Sequence, residues 1–479
     1  MSLPIVSVQQ MREWEQSTWA SGQTAPQVIQ RVGKIIADRA LRQTSKGDTV
    51  LILAGKGHNG DDARAALPHL IERNVVLLDA LEPRDAFAQF SSRYTGPRKP
   101  QLIIDGLFGI GLSRDLDHDW QQLIGAVNAA SVPVLAVDAP SGIDSDSGEI
   151  RGAAVRAQVT LTLGAPKRGL VAAAAVPFVG RLEVAPEIGL IPCPCASDWQ
   201  WTMAEDFPSF ASPRAATSHK GTYGHIVIVA GSCGYHGAAV LASRGALRAQ
   251  PGLVSVFTPQ NVYLPVASQL QAAMVHPWES ARTFPKSASA IFFGPGLAAT
   301  PLPENLRAEL IELWRTSPLP VIADASALDW LPAGGNFGHA LRVITPHPGE
   351  AARLLSVSTE AIQTDRVGSL RRLSARFGNC FVVLKGHQTL VGRNEGEVFF
   401  NSSGNSFLAQ GGSGDVLAGY LAGLLAQPRW QPDALRTIRY AVWEHGSCAD
   451  RLCREKSNWT IDDLASVLGE FTNASRIGA

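Results

Sequence analysis

Runs of consecutive aliphatic residues recur along the chain without polar alternation: VLILA (50–54), NVVLLDA (74–80), QLIID (101–105), PVLAVDA (133–139), HIVIVAG (225–231), PVIADA (320–325), RVITP (342–346) and FVVLKG (381–386). A strand reads this way when both of its faces are buried, as in a parallel sheet. Between many of these runs lie stretches with helical spacing of apolar residues, among them GAAVLASRGALRAQ (237–250) and ENLRAELIELW (304–314). Strand and helix alternating in this way predict an α/β chain that meets its ligands at the carboxyl ends of the strands. The rhythm stops over GLIPCPCASDWQWTMAEDFPSFASPRAAT (189–217), rich in prolines and small residues, and resumes at His225. A junction between two α/β domains, 1–204 and 205–479, is predicted there. The chain carries no short-period repeat, which argues against a solenoid.

At 479 residues the chain exceeds what one hydrophobic core usually serves, and 45% apolar content is enough for two. The 42 basic residues balance 42 acidic ones, so no charge excess points to nucleic acid. No apolar stretch approaches the roughly 20 residues of a membrane span, and the start MSLPIVSVQQMREWEQ lacks the pattern of a secretory signal. Six cysteines in so long a chain make no disulfide framework. A soluble protein of the reducing cytoplasm is expected. Cys193 and Cys195 have neither a second pair nor matching histidines, so zinc is not expected.

In the second half, LAQGGSGDVLAGYLAGLLA (408–426) sets glycines and a carboxylate against an apolar helix. Gly411, Gly412 and Gly414 let the backbone approach a ligand, while Val416, Leu417, Tyr420, Leu421 and Leu424 predict one apolar helical face. Free N–H groups at a helix start bind anions such as phosphate. Asp415 would repel that phosphate unless it has a task there, such as general base beside a phosphoryl group. A helix cap and a glycine turn would explain the same letters. Other strand ends carry Lys385, Gly386, Gln388 and Thr389 in VVLKGHQTLV, His347 and Glu350 in TPHPGE, and a glycine loop in GPGLA (294–298).

Taken in order, HKGTYGHIVIVAGS (219–232), GAAVLASRGALRAQPGLVSV (237–256), GPGL (294–297), ITPHPGE (344–350), VLKGHQTLV (383–391) and GNSFLAQGGSGDVLAG (404–419) resemble the ADP-dependent NAD(P)H-hydrate dehydratase domain of the ribokinase-like superfamily. The resemblance covers nearly all of residues 205–475 and implies a ribokinase-like α/β domain. It implies an adenine nucleotide at Lys385, Gly386, His387, Gln388, Thr389 and Gly414, and Mg2+ is expected with that nucleotide by analogy with phosphoryl transfer in general. It also implies a hydrated nicotinamide nucleotide at Gly237, Ala238, Gly296, His347 and Asp415. In the implied chemistry Asp415 deprotonates the ring hydroxyl, the hydroxyl takes a phosphoryl group from ADP, and phosphate leaves to restore the nicotinamide double bond. The usual GGTGD of the family reads GGSGD here, with Ser413 for threonine.

In the first half, VLILAGKGHNG places Gly55, Gly57 and Gly60 in a G-x-G-x-x-G pattern after a predicted strand, and Asp79 closes the next strand. Read alone, this is a dinucleotide-binding fingerprint with its ribose-binding acid. With DGLFGIGLSRDL (105–116), VDAPSGIDSDSGE (137–149), MREWE near the start and TLGAPKRGL (162–170), it resembles the NAD(P)H-hydrate epimerase domain over residues 1 to about 200. That resemblance implies a Rossmann-like three-layer α/β/α sandwich and a potassium ion at Asn59, Asp105 and Ser141, oxygen donors suited to a hard cation. It implies substrate contacts at His58, Asn59, Gly60, Asp61, Asp62, Gly109, Ile110, Gly111, Leu112, Ser113, Arg114, Asp115 and Asp138, with Asp138 as an acid or base of epimerisation. The usual GNNGGDG reads GHNGDDA here, so His58, Asp61 and Ala63 replace an asparagine and two glycines. A position that needs positive φ would resist such a change, and Asp61 adds negative charge near a phosphate-bearing ligand.

Together the resemblances imply a bifunctional repair enzyme. The first domain interconverts the R and S hydrates of NADH and NADPH, and the second uses ADP to dehydrate the S form, releasing AMP and phosphate. The expected partners are these small molecules, with no nucleic acid or membrane, in a homo-oligomer. Three alternatives stay open: a ribokinase-like vitamin or sugar kinase, an NAD-dependent oxidoreductase built on GKGHNG, and a first domain that binds ligand without turnover.

Overall fold

The computed structural model describes residues 2–95, 99–208, 210, 214–279, 284–335, 337, 338 and 340–470. It divides into two compact units, one of Leu3–Ser197 and the other built on Asp198–Ala479.

In the first unit a short β1 (Leu3–Pro4) precedes β2 (Thr49–Ala54), β3 (Asn74–Asp79), β4 (Leu102–Gly106), β5 (Val134–Val137), β6 (Val159–Leu163) and β7 (Arg181–Ala185). The sheet runs β3-β2-β4-β5-β6-β7, with every neighbouring pair parallel. The predicted apolar runs became strands because β2 and β4 are buried along their whole length. Val28, Val32 and Ile36 of the helix Ala25–Leu41 cover one face, and Ala86, Phe90, Leu123 and Ile124 of the helices Pro83–Thr95 and His118–Ala129 cover the other. Each buried Val, Leu, Ile or Phe contributes about 1.5–3 kcal/mol. The expected three-layer sandwich results. NVVLLDA differs from the other runs: as the edge strand β3 it is only half-buried.

In the second unit β8 (Trp199–Trp201), β9 (His225–Val229), β10 (Leu253–Thr258), β11 (Met274–Pro277), β12 (Ala290–Phe293), β13 (Val321–Ala323), β14 (Arg342–Ile344), β15 (Phe381–Leu384), β16 (Leu390–Gly392) and β17 (Val398–Phe400) follow the order β8-β17-β16-β15-β14-β13-β12-β9-β10-β11. Only the β15–β16 and β16–β17 pairs among these are antiparallel. The helix Ser413–Leu425 was predicted to bury one face, yet Val416–Leu425 is buried throughout. The cause is cover on two sides, from the helices His236–Arg248 and Ala434–Glu455. A Cβ on Gly419 would stand 1.9 Å from the Ala242 carbonyl oxygen, so these helices touch backbone to backbone.

Residues 198–204 lie with the second unit, not with the first as the expected boundary had it. The apolar Trp-Gln-Trp of β8 pairs in parallel with β17, and Trp201 is buried. Prolines around this strand hid it in what read as a linker.

Candidate active sites

In both sheets strand order reverses at one place, between β2 and β4 in the first unit and between β9 and β12 in the second. Ligands of open α/β sheets bind beyond the carboxyl ends of the strands at such a point.

In the first unit the chain leaves β2 through Gly55-Lys56-Gly57 and enters the helix His58–Ala65. A Cβ on Gly60 would stand 2.1 Å from the Gly55 carbonyl oxygen, and one on Gly55 would stand 2.0 Å from that of Leu107. Close approach therefore demands these glycines. His58, Asp61 and Ala63 lie in the helix without positive φ, so GHNGDDA loses no needed backbone freedom.

A cavity of about 750 Å³ opens at these strand ends. Its lining includes the expected His58, Asn59, Asp62, Gly109, Ile110, Gly111, Leu112, Ser113, Arg114 and Asp138, together with Arg12, Glu15 and Lys56. Gly60, Asp61 and Asp115 are not part of this lining. Asp61 pairs with Arg64 at 3.0 Å, and the same guanidinium holds Asp79 at 2.7 Å and the Gly55 carbonyl at 2.9 Å. These carboxylates brace the glycine loop, so Asp79 is tied to Arg64 where the dinucleotide fingerprint would have had it on a ribose.

The exposed part of the lining carries Arg12, Lys56, His58 and Arg114 beside Asp117 and Glu82, which holds Lys56 at 3.1 Å; the buried part holds Asp62 and Asp138. Asp138 has φ +62°, a left-handed conformation that a non-glycine residue adopts under constraint. Its Oδ1 accepts from Lys167 Nζ, from Thr162 Oγ1 at 3.1 Å and from the Leu163 N–H at 3.0 Å. Lys167 is fully buried and also donates to the Leu163 carbonyl at 2.9 Å. A buried ammonium requires such a counter-charge. Burial, then Asp138, Asp61 and Glu15, push the Asp62 carboxyl well above the usual range against the pull of Lys167. Burial and Asp138 likewise raise Glu15, opposed by Lys167, His58 and Arg12.

Asn59, Asp105 and Ser141 come together around Phe108. Asp105 is fully buried and accepts from Ser141 Oγ at 2.6 Å, the Ser141 N–H at 2.8 Å and the Leu107 N–H at 3.2 Å. Ser141 Oγ accepts from the Phe108 N–H at 2.9 Å, and Asn59 Nδ2 donates to the Phe108 carbonyl at 2.9 Å. Burial pushes Asp105 up to about 6, and only hydrogen bonds oppose it. A buried carboxylate without a cation among the described residues, amid hydroxyl, amide and carbonyl oxygens, fits a hard monovalent cation.

In the second unit Lys385 follows β15 and Asp324 follows β13. Lys385 Nζ lies 2.9 Å from Asp324 and 4.0 Å from Glu350. It runs beneath the glycine loop, where a Cβ on Gly414 would stand 3.1 Å from Nζ. Asp415, in the first turn of the helix Ser413–Leu425, is pushed up to about 7 by burial and by Asp324, with Lys385 pulling it down. Burial works against the Lys385 charge, but Asp324, Glu350 and Asp415 raise it above the ordinary lysine value. The helix starts at Gly412 with φ +92° and no side-chain cap. The Ser413 N–H donates to the Gln410 carbonyl at 3.3 Å, and beyond it an uncapped helix start of this kind offers N–H groups to an anion.

Around this centre stand the other expected residues. His347 caps the helix Pro348–Leu355: its Nδ1 accepts from the N–H groups of Gly349 and Glu350, while Glu350 accepts from the His347 N–H at 2.7 Å. Gly296 has φ +66°, and a Cβ there would meet the Tyr235 carbonyl at 2.4 Å and Ala238 Cβ at 3.0 Å. The GPGL loop thus rests on the helix start that carries Gly237 and Ala238. In the KGHQT turn Gly386 and Gln388 have positive φ, and Thr389 Oγ1 donates to the Gly386 carbonyl at 3.1 Å. Arg366 ties this turn down by donating to the carbonyls of Leu384 (3.2 Å), Lys385 (3.3 Å) and His387.

Sequence reasoning missed Glu15, Lys167, Asp324 and Arg366. Lys167 lies in the quoted TLGAPKRGL, and Asp324 ends the strand-like PVIADA, where ligands were expected. Glu15 lies in the quoted MREWE, and Arg366 is a helix residue whose local pattern gives no such signal.

Residues 226–469 match the family described as NAD(P)H-hydrate dehydratase, and residues 79–169 match the family described as YjeF-related protein N-terminus. The bifunctional NAD(P)H-hydrate repair enzyme Nnr of Coxiella burnetii is 32% identical over 472 residues, covering 93% of this chain and 94% of that one. Its Escherichia coli counterpart is 34% identical over 446 residues, covering 88% and 85%. A crystal structure of the ADP/ATP-dependent NAD(P)H-hydrate dehydratase from Bacillus subtilis, co-crystallized with ATP and Mg2+, aligns over 54% of this chain and 92% of that one at 32% identity, with a TM-score of 0.49. With two-domain relatives matched over nearly their whole length, the chain belongs to the family of bifunctional NAD(P)H-hydrate repair enzymes.

Proposed function

We propose that this chain repairs hydrated nicotinamide nucleotides, the first unit interconverting the R and S hydrates of NADH and NADPH and the second dehydrating the S hydrate with ADP. The observation that carries the second activity is Asp415, poised at about 7 beside Lys385 and an uncapped helix start. A base serves best with its pKa near the working pH. Asp415 takes the proton of the ring hydroxyl as that oxygen attacks the terminal phosphoryl group of ADP. Lys385 and the helix N–H groups hold the charge on the transferring phosphate. The nitrogen of the ring then expels phosphate, and AMP remains.

The nucleotide lies against Lys385, Gly386, His387, Gln388, Thr389 and Gly414, and the hydrate against Gly237, Ala238, Gly296 and His347. Among the described residues no group of three or more His, Cys, Asp or Glu side chains is placed to hold a metal ion. Mg2+ accordingly arrives on the nucleotide, where it neutralises phosphate charge.

In the first unit Arg12 and Arg114 of the exposed lining take the pyrophosphate and Asp138 handles a proton of the hydrate. Asn59, Asp105 and Ser141 hold potassium, which supplies a fixed positive charge at the strand ends. A cytoplasmic homo-oligomer completes the reading.

The test is recovery of the near-ultraviolet absorbance of reduced nicotinamide from mixed R and S hydrates, with and without ADP. ADP-dependent recovery of both epimers supports the two activities. Recovery that stops when the S form is exhausted removes the epimerase, and no recovery removes the dehydratase.

A further inference from the structure

We propose that epimerisation proceeds by loss and re-addition of the ring hydroxyl as water, with Asp62 giving the proton to the departing oxygen and the Lys167-paired Asp138 receiving the proton of the water that adds to the opposite face. This rests on the reading of Asp138 above and assigns the partner that it lacks.

Hydration of an enamine double bond leaves the hydroxyl on the carbon beside the ring nitrogen. When a proton reaches that oxygen, the C–O bond breaks, water departs, and the nitrogen lone pair forms a C=N bond. The resulting cation is planar at that carbon and has lost its handedness. Water adding to the other face forms a new C–O bond and releases one proton. The proton taken up by Asp138 balances the one given by Asp62, and solvent exchange restores both groups.

The cavity is built for such a pair. Asp62 is 9% exposed, lines the cavity and makes no hydrogen bond or ion pair among the described residues. Buried carboxylates with a structural role are normally held by donors. Asp138 is the opposite case, gripped by Lys167, Thr162 and the Leu163 N–H. The two stand on different elements, Asp62 on the helix His58–Ala65 and Asp138 after β5.

The charges facing Asp62 are Asp138, Asp61 and Glu15 on one side of the balance and Lys167 on the other, and burial adds to the three carboxylates in raising its carboxyl. The raised carboxyl, unpartnered in the cavity, suits a proton donor. The same carboxylate excess stabilises a transient ring cation, as preorganised charge does at the place where opposite charge develops. Opening the ring at its C–N bond instead would pass through a neutral aldehyde that keeps its original oxygen.

The test uses the full-length protein without ADP and the R hydrate of NADH in heavy-oxygen water, with mass spectrometry of the S product before equilibrium. Each inverted molecule is expected to carry solvent oxygen; S product that keeps its original oxygen overturns the proposal. Asp62→Asn is expected to lower kcat for epimerisation on the order of 10²- to 10⁴-fold with KM little changed. An unchanged denaturant melt of the first unit should report that this variant is folded, ADP-dependent dehydration of the S hydrate should persist in the second unit, and Asp62→Glu should restore part of the lost rate. Wild-type kcat is expected to fall as pH rises through the elevated Asp62 pKa, a limb absent from Asp62→Asn. Full epimerisation by Asp62→Asn overturns the proposal while leaving Asp138 in place. Full activity of Asp138→Asn as well would overturn the reading beneath it.

Discussion

The ammonium of Lys385 lies 2.9 Å from the Asp324 carboxylate, and this one cation also feels Glu350 and Asp415. The pair sets the acid limb of the dehydratase. Asp415 must be ionised to act as base, so the rate should rise with pH through about 7. Asp324 raises the Asp415 pKa; Asp324→Asn should therefore move the limb to lower pH. Lys385 lowers it, and Lys385→Met should move the limb upward while raising KM for ADP. pH–rate profiles of the three proteins with S hydrate decide the matter, and an unmoved limb would remove Asp415 as the titrating base.

Removing the base itself separates the two activities. Asp415→Asn should lower ADP-dependent dehydration on the order of 10²- to 10⁴-fold and leave R-to-S interconversion at the wild-type rate. Chromatography of the epimers measures the second quantity without ADP. A comparable loss of both rates would contradict the assignment of the reactions to separate units.

The strand framework was legible in the sequence because parallel strands buried on both faces leave uninterrupted apolar runs, and each such run became a strand. The edge position of β3 was not, since an edge depends on what other strands do. Glycine-rich strand ends were legible for the same reason: Gly60 and Gly296 mark places where backbone meets backbone. The Lys385–Asp324 contact joins residues 61 positions apart. Only the alignment of β13 and β15 on either side of β14 brings them together, and no local pattern announces it. Asp61 reads as negative charge next to the ligand, yet Arg64, one helical turn on, turns it away.

Arg366 should act on nucleotide binding through the turn that it pins. Burial pushes its guanidinium down to about 10, and two carbonyls of the KGH turn and that of Leu384 accept from it. A lysine has neither the fork nor the reach to serve them together. Arg366→Lys should raise KM for ADP while kcat at saturating ADP stays close to wild type. Equal KM values in steady-state kinetics would show that the turn keeps its shape without the fork.

The glycine loop of the first unit offers a contrast between neighbours. Gly60→Ala forces a Cβ to within 2.1 Å of a backbone oxygen, while the same change at Gly57 meets nothing within 4 Å. Gly60→Ala should destabilise the first unit by about 1–3 kcal/mol, as overpacking does. Gly57→Ala should cost well under that, since its φ of −98° suits alanine. Denaturant melts of both variants measure the gap, and equal midpoints would show that the loop relaxes freely.

Potassium should stabilise the fold through Asp105. The carboxylate is fully buried and has hydrogen bonds but, among the described residues, no cation that offsets its charge. A cation that binds the folded state and not the unfolded chain raises stability with its concentration. Melting temperature in potassium chloride should therefore exceed that in choline chloride at equal ionic strength, with sodium less effective. Asp105→Asn keeps the side-chain shape and removes the charge, so its melting temperature should stop responding to potassium. A response equal to that of the wild type would move the ion away from Asn59, Asp105 and Ser141.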